Sequence, residues 1–209
     1  MNIQYIDRMG DDLTVVNAAR VSMNKTSSAL DDRDQRLIRY LANHNHWTPF
    51  AHVMIQVRVT APIFIARQWF RHTVGFARNE VSRRYVDTTP EAWRPESWRS
   101  RPEASVKQGS GGEHELSRAW QSQYKKQVNS AITVYQHMIV NGVAPEQARA
   151  VLPQGVETQW VETASLYAYS RLCRERLAPD AQQEIHDLAV EIDKVCRDIA
   201  PVSWHALMI

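Results

Sequence analysis

The chain has 209 residues, 44% of them apolar, enough for one compact core, so residues 1–209 are expected to form a single unit. A formal net charge of +2 gives no bulk electrostatic basis for nucleic-acid binding. No apolar run reaches the roughly 18 residues of a membrane helix, and the opening MNIQYIDRMGDD has no signal-peptide core, so a cytoplasmic protein of a bacterial cell or a phage-infected host, with no membrane partner, is expected. Cys173 and Cys196 form no metal pattern; two reduced, structural thiols and no metal site are expected.

In chain order, residues 3–6 read as a short strand and Gly10 as a turn. Residues 15–25 read as a short helix ending near Ser22. A polar lead-in opens a helix near 31–44, with Leu37, Ile38 and Leu41 on one face. Residues 53–59 alternate as a half-buried strand. Thr60-Ala61-Pro62 then reads as a helix start, with Thr60 as N-cap. Val74-Gly75 breaks that helix, and 79–86 fits a period of two.

Residues 87–112 are loop-like, with Pro90, Pro95, Pro102 and three glycines near the end. Trp93 and Trp98 lie there among arginines, as anchors of a mobile lid or as pins of a surface excursion. A long helix follows over 113–140, with Leu116, Trp120, Tyr124, Val128, Tyr135 and Met138 at core-like spacing and Asn141-Gly142 as its stop. Pro145 opens a short helix carrying Arg149. Two further helices are expected over about 158–177 and 180–199. The count is α+β: a small mixed or antiparallel sheet with long helices.

The chemistry concentrates in 60–86, where Arg67, Arg71, Arg78, Arg83 and Arg84 accompany His72 and Glu80 beside IFIA and WF. Such a mixture suits an anionic, aromatic ligand. On a helix Gln68 shares a face with Arg71 and His72. On a strand Glu80, Ser82 and Arg84 point one way. Across the glycine loop, Gln68, Arg71, Glu80, Ser82 and Arg84 are expected to form one polar pocket.

ARQWFRH followed by NEVSRRY resembles the flavin-dependent thymidylate synthases, whose signature runs Arg-His-Arg, seven residues, Ser. Arg71, His72 and Ser82 match; Thr73 replaces the third signature residue, and eight residues (74–81) precede Ser82. Ala19-Arg20-Val21-Ser22 and the block from His46 to His52, with Ala51 where the family has Glu, are similar to flavin-proximal runs. QARAVLP, carrying Arg149, and ERLAPDAQQEI, carrying Arg176, resemble two nucleotide-binding blocks. The resemblance covers roughly 12–199 and is weakest over 87–130.

The resemblance implies dUMP as substrate, FAD as cofactor, and NADPH and methylenetetrahydrofolate as co-substrates. It also implies a homotetramer whose sites draw on several subunits. For dUMP it points to Gln68, Arg71, Glu80, Ser82, Arg83, Arg84, Arg149 and Arg176. Arg176 is the catalytic candidate, a permanently charged guanidinium suited to negative charge growing at N3 of the pyrimidine. For the flavin it points to Ser22, His46, Thr48, Arg71, His72, Thr73, Asn79, Glu80, Ser165, Tyr167 and Arg171. The chain has no GxGxxG, so these groups stand in place of a Rossmann cradle. Neither cysteine sits in a nucleophile setting, which agrees with the flavin route. Two rivals share the fold: a dUMP hydroxymethylase using the same cofactors, and a non-catalytic nucleotide-binding homologue.

Overall fold

The computed structural model describes residues 1–102 and 109–209. Its centre is set by alternation in β2 (Met54–Pro62), where Ile55, Val57, Val59 and Ala61 are wholly buried while Arg58 on the opposite face is exposed. β2 pairs along its length with β4 (Glu157–Ser165), from Met54 opposite Ser165 to Pro62 opposite Glu157. The far side of β4 carries β3 (Phe76–Glu80), and the far side of β2 carries β1 (Asn2–Met9). The order is β1-β2-β4-β3, and every pair is antiparallel.

Helices α1 (Asp12–Arg20), α2 (Asp32–Asn43), α6 (Leu166–Arg176), α7 (Gln183–Ile199) and α8 (Pro201–Met208) supply much of the remaining core, with Phe50, Ile65 and Trp69 from the segments on either side of β2. Val15, Ile38, Leu172, Ile185, Ile192 and Trp204 are fully buried in the same cluster as Ile55, Val57 and Val59 of β2. The Asp12 carboxylate accepts from the backbone N–H groups of Val202 and Ser203 at 3.0 and 2.7 Å. It thereby satisfies two otherwise unpartnered donors of the last helix from the first. α4 (Ser117–Val140) is far less covered: Val128 and Tyr135 are buried, but Leu116, which precedes it, and Trp120 are about half exposed. The apolar spacing over 113–140 is thus core on only part of its length. No helix among the described residues is long and apolar enough to cross a membrane.

Several boundaries differ from expectation. Thr60 caps no helix. Thr60, Ala61 and Pro62 continue β2 against Gln159, Thr158 and Glu157, and α3 spans Ile63–Trp69. The strand expected over 79–86 ends at Glu80; Val81 donates to the Gln159 carbonyl, and the chain then turns back on Ser82. The helix expected over 158–177 is β4 followed by α6, because Trp160, Glu162 and Ala164 are buried and the residues between them are not. The helix expected over 15–25 ends at Arg20 in a 3-10 turn, the long helix starts at Ser117, and the last helical stretch is α7 followed by α8 with Pro201 at its first position. The short helix at Pro145 is α5 (Pro145–Ala148), continued by a 3-10 turn that carries Arg149.

The described parts of 87–112 are pinned. Trp93 meets Phe64 edge-on at 5.3 Å, and Trp98 meets Tyr124 at 5.4 Å. The Trp98 backbone N–H donates to Ser117 Oγ, and Arg99 pairs with Glu184 at 2.7 Å. Residues 103–108 lie outside the described residues.

Candidate active site

A cavity of about 570 Å³ opens where β3 ends. This is within the usual size of a small-molecule site. Its lining includes Glu80, Ser82, Arg83, Arg84 and Arg149, with Thr60, Thr158 and Gln159 from the sheet. Ser82 is set by a turn: its carbonyl accepts from Tyr85 N–H and Val86 N–H, and its Oγ accepts from Arg84 N–H at 3.3 Å. Arg83 donates to the Thr88 carbonyl and Arg149 to the Glu146 carbonyl, both at exposed or half-exposed positions. None of Arg83, Arg84 and Arg149 is paired with a carboxylate among the described residues. Glu80 Oε1 accepts from Thr158 Oγ1 at 2.6 Å, which holds that carboxylate against the neighbouring strand. The chain beside Val156 is built close: Tyr124 donates to the Trp93 carbonyl at 3.0 Å, and a Cβ at Gly155 would collide with the Tyr124 hydroxyl. Only glycine fits there.

Gln68 and Arg71 do not line this cavity, so the single pocket expected from the sequence is divided in the chain. Gln68 is half-buried on α3, and Arg71 is exposed just past its end. His72 instead meets Arg176, whose Nε donates to His72 Nε2 at 2.9 Å across 104 residues of chain. The imidazole must then carry its proton on Nδ1 and be neutral. Burial, then the Arg176 charge, lower its pKa below the ordinary 6.5; Arg78 and Arg171 act in the same direction and Glu175 opposes them.

A third group lies around the 3-10 turn Thr48–His52. Trp47 stacks on Tyr167 at 5.6 Å, with His46 and Thr48 exposed beside it. Arg171 is exposed on the same helix as Tyr167, one turn further on. Thr73 and Asn79 are exposed, one in the turn that leads into β3 and the other near that strand's end. Ser165 is committed as the N-cap of α6, accepting from Ala168 N–H at 3.1 Å, and Ser22 Oγ donates to the Ala19 carbonyl at 2.9 Å. The donor set fits a flavin in chemistry: stacked aromatics for a ring, guanidinium groups for a diphosphate, and exposed hydroxyl, amide and imidazole groups.

Both cysteines are buried, and burial pushes both thiols well above the usual range, so neither is available as a nucleophile. No cluster of three metal-binding side chains occurs among the described residues.

Two residues here carried no role in the sequence reading. Arg78 and Glu162 stand directly opposite on β3 and β4 and pair at 2.7 Å. The enrichment in β-branched and aromatic residues over 157–165, with Thr158, Trp160, Val161 and Thr163, is the signal that could have marked a strand there.

The family model for the thymidylate synthase complementing proteins matches residues 4–202. A flavin-dependent thymidylate synthase of Thermus thermophilus is 36% identical over 204 residues, spanning 98% of this chain and 74% of the relative. One from Thermosipho africanus is 34% identical over 207 residues, spanning 99% of this chain and 90% of the relative. Among solved structures, the UMP/dUMP methylase PolB of Streptomyces cacaoi bound with 5-Br dUMP superposes with a TM-score of 0.85 at 28% identity, covering 98% of this chain and 93% of that one. With matched sequence along nearly its whole length and the same fold, the chain belongs to the flavin-dependent thymidylate synthase family.

Proposed function

We propose that the protein methylates dUMP to dTMP, taking the one-carbon unit from methylenetetrahydrofolate and reducing equivalents from NADPH, with FAD as cofactor. The observation that carries the reading is the cavity at the end of β3. Ser82 and Arg84 from one segment and Arg149 from another, all assigned to the nucleotide by their motifs, line the same space.

Each group has a definable task. Arg84, Arg149 and Ser82 receive the phosphate, for which exposed guanidinium groups without a carboxylate partner are suited. Glu80, held by Thr158, limits where an anion can lie and accepts from a sugar hydroxyl or a ring N–H. Arg176 stabilises negative charge at the pyrimidine, and neutral His72 holds its guanidinium without neutralising it. His46, Thr48, Tyr167, Arg171, Arg71, Thr73 and Asn79 hold the flavin, which when bound supplies the hydride chemistry. Ser165 and Ser22 act there through the backbone they fix. Gln68, Arg71 and Arg176 do not line the cavity of one chain. The homotetramer is the arrangement in which they reach a nucleotide, on a site shared between subunits.

A second reading extends the substrate to UMP. The cavity carries Glu91 and Glu157 besides Glu80, three acceptors able to take a ribose hydroxyl, and PolB is a methylase of both nucleotides.

The test is an anaerobic absorbance titration of the purified protein reconstituted with FAD. Bleaching by NADPH, followed by a spectral change on adding dUMP, is expected. A protein that binds no flavin would support the non-catalytic homologue. Comparing kcat/KM for dUMP and UMP decides the substrate range.

A further inference from the structure

The Glu162 carboxylate is 1% exposed and lines none of the cavity that holds the nucleotide residues. A buried carboxylate is costly unless fully hydrogen-bonded. This one is surrounded by donors. Trp69 Nε1 lies 3.1 Å from both oxygens, Trp160 Nε1 and Tyr169 OH donate at 3.1 Å, and Arg78 Nε at 2.7 Å. A charge retained at the centre of such a set needs a reason beyond stability, since apolar replacements of buried pairs are often neutral or stabilising.

The donors indicate the reason, because three of them lead toward the His72–Arg176 contact. Trp69 ends α3, and its carbonyl accepts from His72 N–H at 3.2 Å. Arg78 bridges the carboxylate to the His72 carbonyl, where its Nη1 donates at 2.5 Å. Its guanidinium is flanked by the rings of Phe76 and Phe70, at 4.3 and 5.2 Å to the centroids. Tyr169 stands on α6, seven residues before Arg176 and so on the same face of that helix. The N–H and the C=O of His72 and the helix of Arg176 are therefore all referred to one carboxylate.

The geometry points to Glu162 and Arg78 as positioning residues for the reaction. They fix the His72 backbone so that its ring meets Arg176, and they touch no ligand themselves. This rests on the reading of Arg176 as the residue that acts on the pyrimidine. The ring faces charged groups from both elements around it: Arg176, Glu175 and Arg171 on α6 and Arg78 on β3.

Three variants test it. Arg78→Lys keeps a charge for Glu162 but lacks the fork that also reaches the His72 carbonyl. Glu162→Gln keeps one acceptor and faces the remaining donors with an amide. The double variant Arg78→Met/Glu162→Gln removes both charges together, so no lone buried charge is left to prevent folding. In each folded variant two quantities are read: the His72 titration midpoint, by NMR of the ligand-free protein with labelled histidine, and kcat against KM for dUMP.

The expected result is a His72 midpoint that rises toward its ordinary value, with kcat lowered about tenfold and KM changed by less than about twofold. Folded variants with the parent's midpoint and kcat but a lower Tm would overturn the proposal and leave the pair merely structural. The titration is independent of turnover. A parent protein that failed to methylate dUMP would therefore count against the proposed function and not against the positioning of His72.

Discussion

The arginines of this molecule divide into two populations. Arg83, Arg84 and Arg149 sit at the rim of the cavity, exposed or half-exposed, with no carboxylate partner among the described residues. Arg78 and Arg176 are largely buried, and each is tied to a distant part of the chain, Arg78 to Glu162 and Arg176 to the His72 ring, while Arg78 also holds the nearby His72 carbonyl. The first population leaves its electrostatic capacity for an incoming anion. The second commits part of its own to geometry. Identical side chains thus either wait for an incoming anion or are fixed in place beforehand, according to what already surrounds them. Removing one of each kind is therefore expected to have opposite signatures.

The largest effect is expected where a buried charge loses its partner. Glu162→Ala leaves Arg78 unpaired and orphans two indole N–H groups and a phenol. It should destabilise the fold by about 3–5 kcal/mol, read from urea unfolding. A loss below about 1 kcal/mol would mean that these donors find other acceptors. Next is Arg176→Ala, expected to lower kcat by about 10²–10³-fold, the scale for removing one preorganised donor from developing negative charge. Unchanged kinetics would remove Arg176 from the site.

Smaller still is Arg84→Ala. Losing one charge-assisted contact of about 1.5–3 kcal/mol should raise the dUMP KM roughly ten- to a hundredfold with Tm almost unchanged. If Tm fell while KM held, Arg84 would belong with the buried population and the contrast would break. The smallest effect is in pH dependence. The His72 pKa is lowered in the fold, chiefly by burial and Arg176, so the neutral ring contributes no penalty above the ordinary 6.5. Stability is lost as pH falls from there through the lower folded value, because the unfolded chain takes up the proton first. Thermal melts of the parent and His72→Gln from about pH 8 to about pH 5 should diverge in slope on the acid side. Parallel curves would show that His72 titrates alike in the folded and unfolded chain.

How far this could be read from the sequence follows the same division. Rim residues are marked by motifs: Ser82 and Arg84 follow the Arg71-His72 pair, Arg149 lies in its own block, and the three line one cavity. The positioning pair was not. Glu162 interrupts the apolar face of β4 with a charge, and that hides the period of two and favours a helical reading of 158–177. Arg78 acquires meaning only from the register that sets it opposite Glu162. Likewise, Thr60-Ala61-Pro62 looks like a helix start until β4 is present to pair with it. The core faces of β2 and α2 were legible because Val57 and Val59, and Ile38 and Leu41, keep a clean period. The partial exposure of α4 was not, since apolar spacing does not say which part of a long helix meets a partner.

The most direct test of the account is the mass of the product. The protein reconstituted with FAD would be incubated with dUMP, methylenetetrahydrofolate and NADPH, and the nucleotide analysed by mass spectrometry. A product heavier than dUMP by one CH2 unit is predicted. A product heavier by CH2O would make the protein a hydroxymethylase, and recovery of unchanged dUMP from a flavin-loaded protein would contradict the assignment of the cavity to methylation.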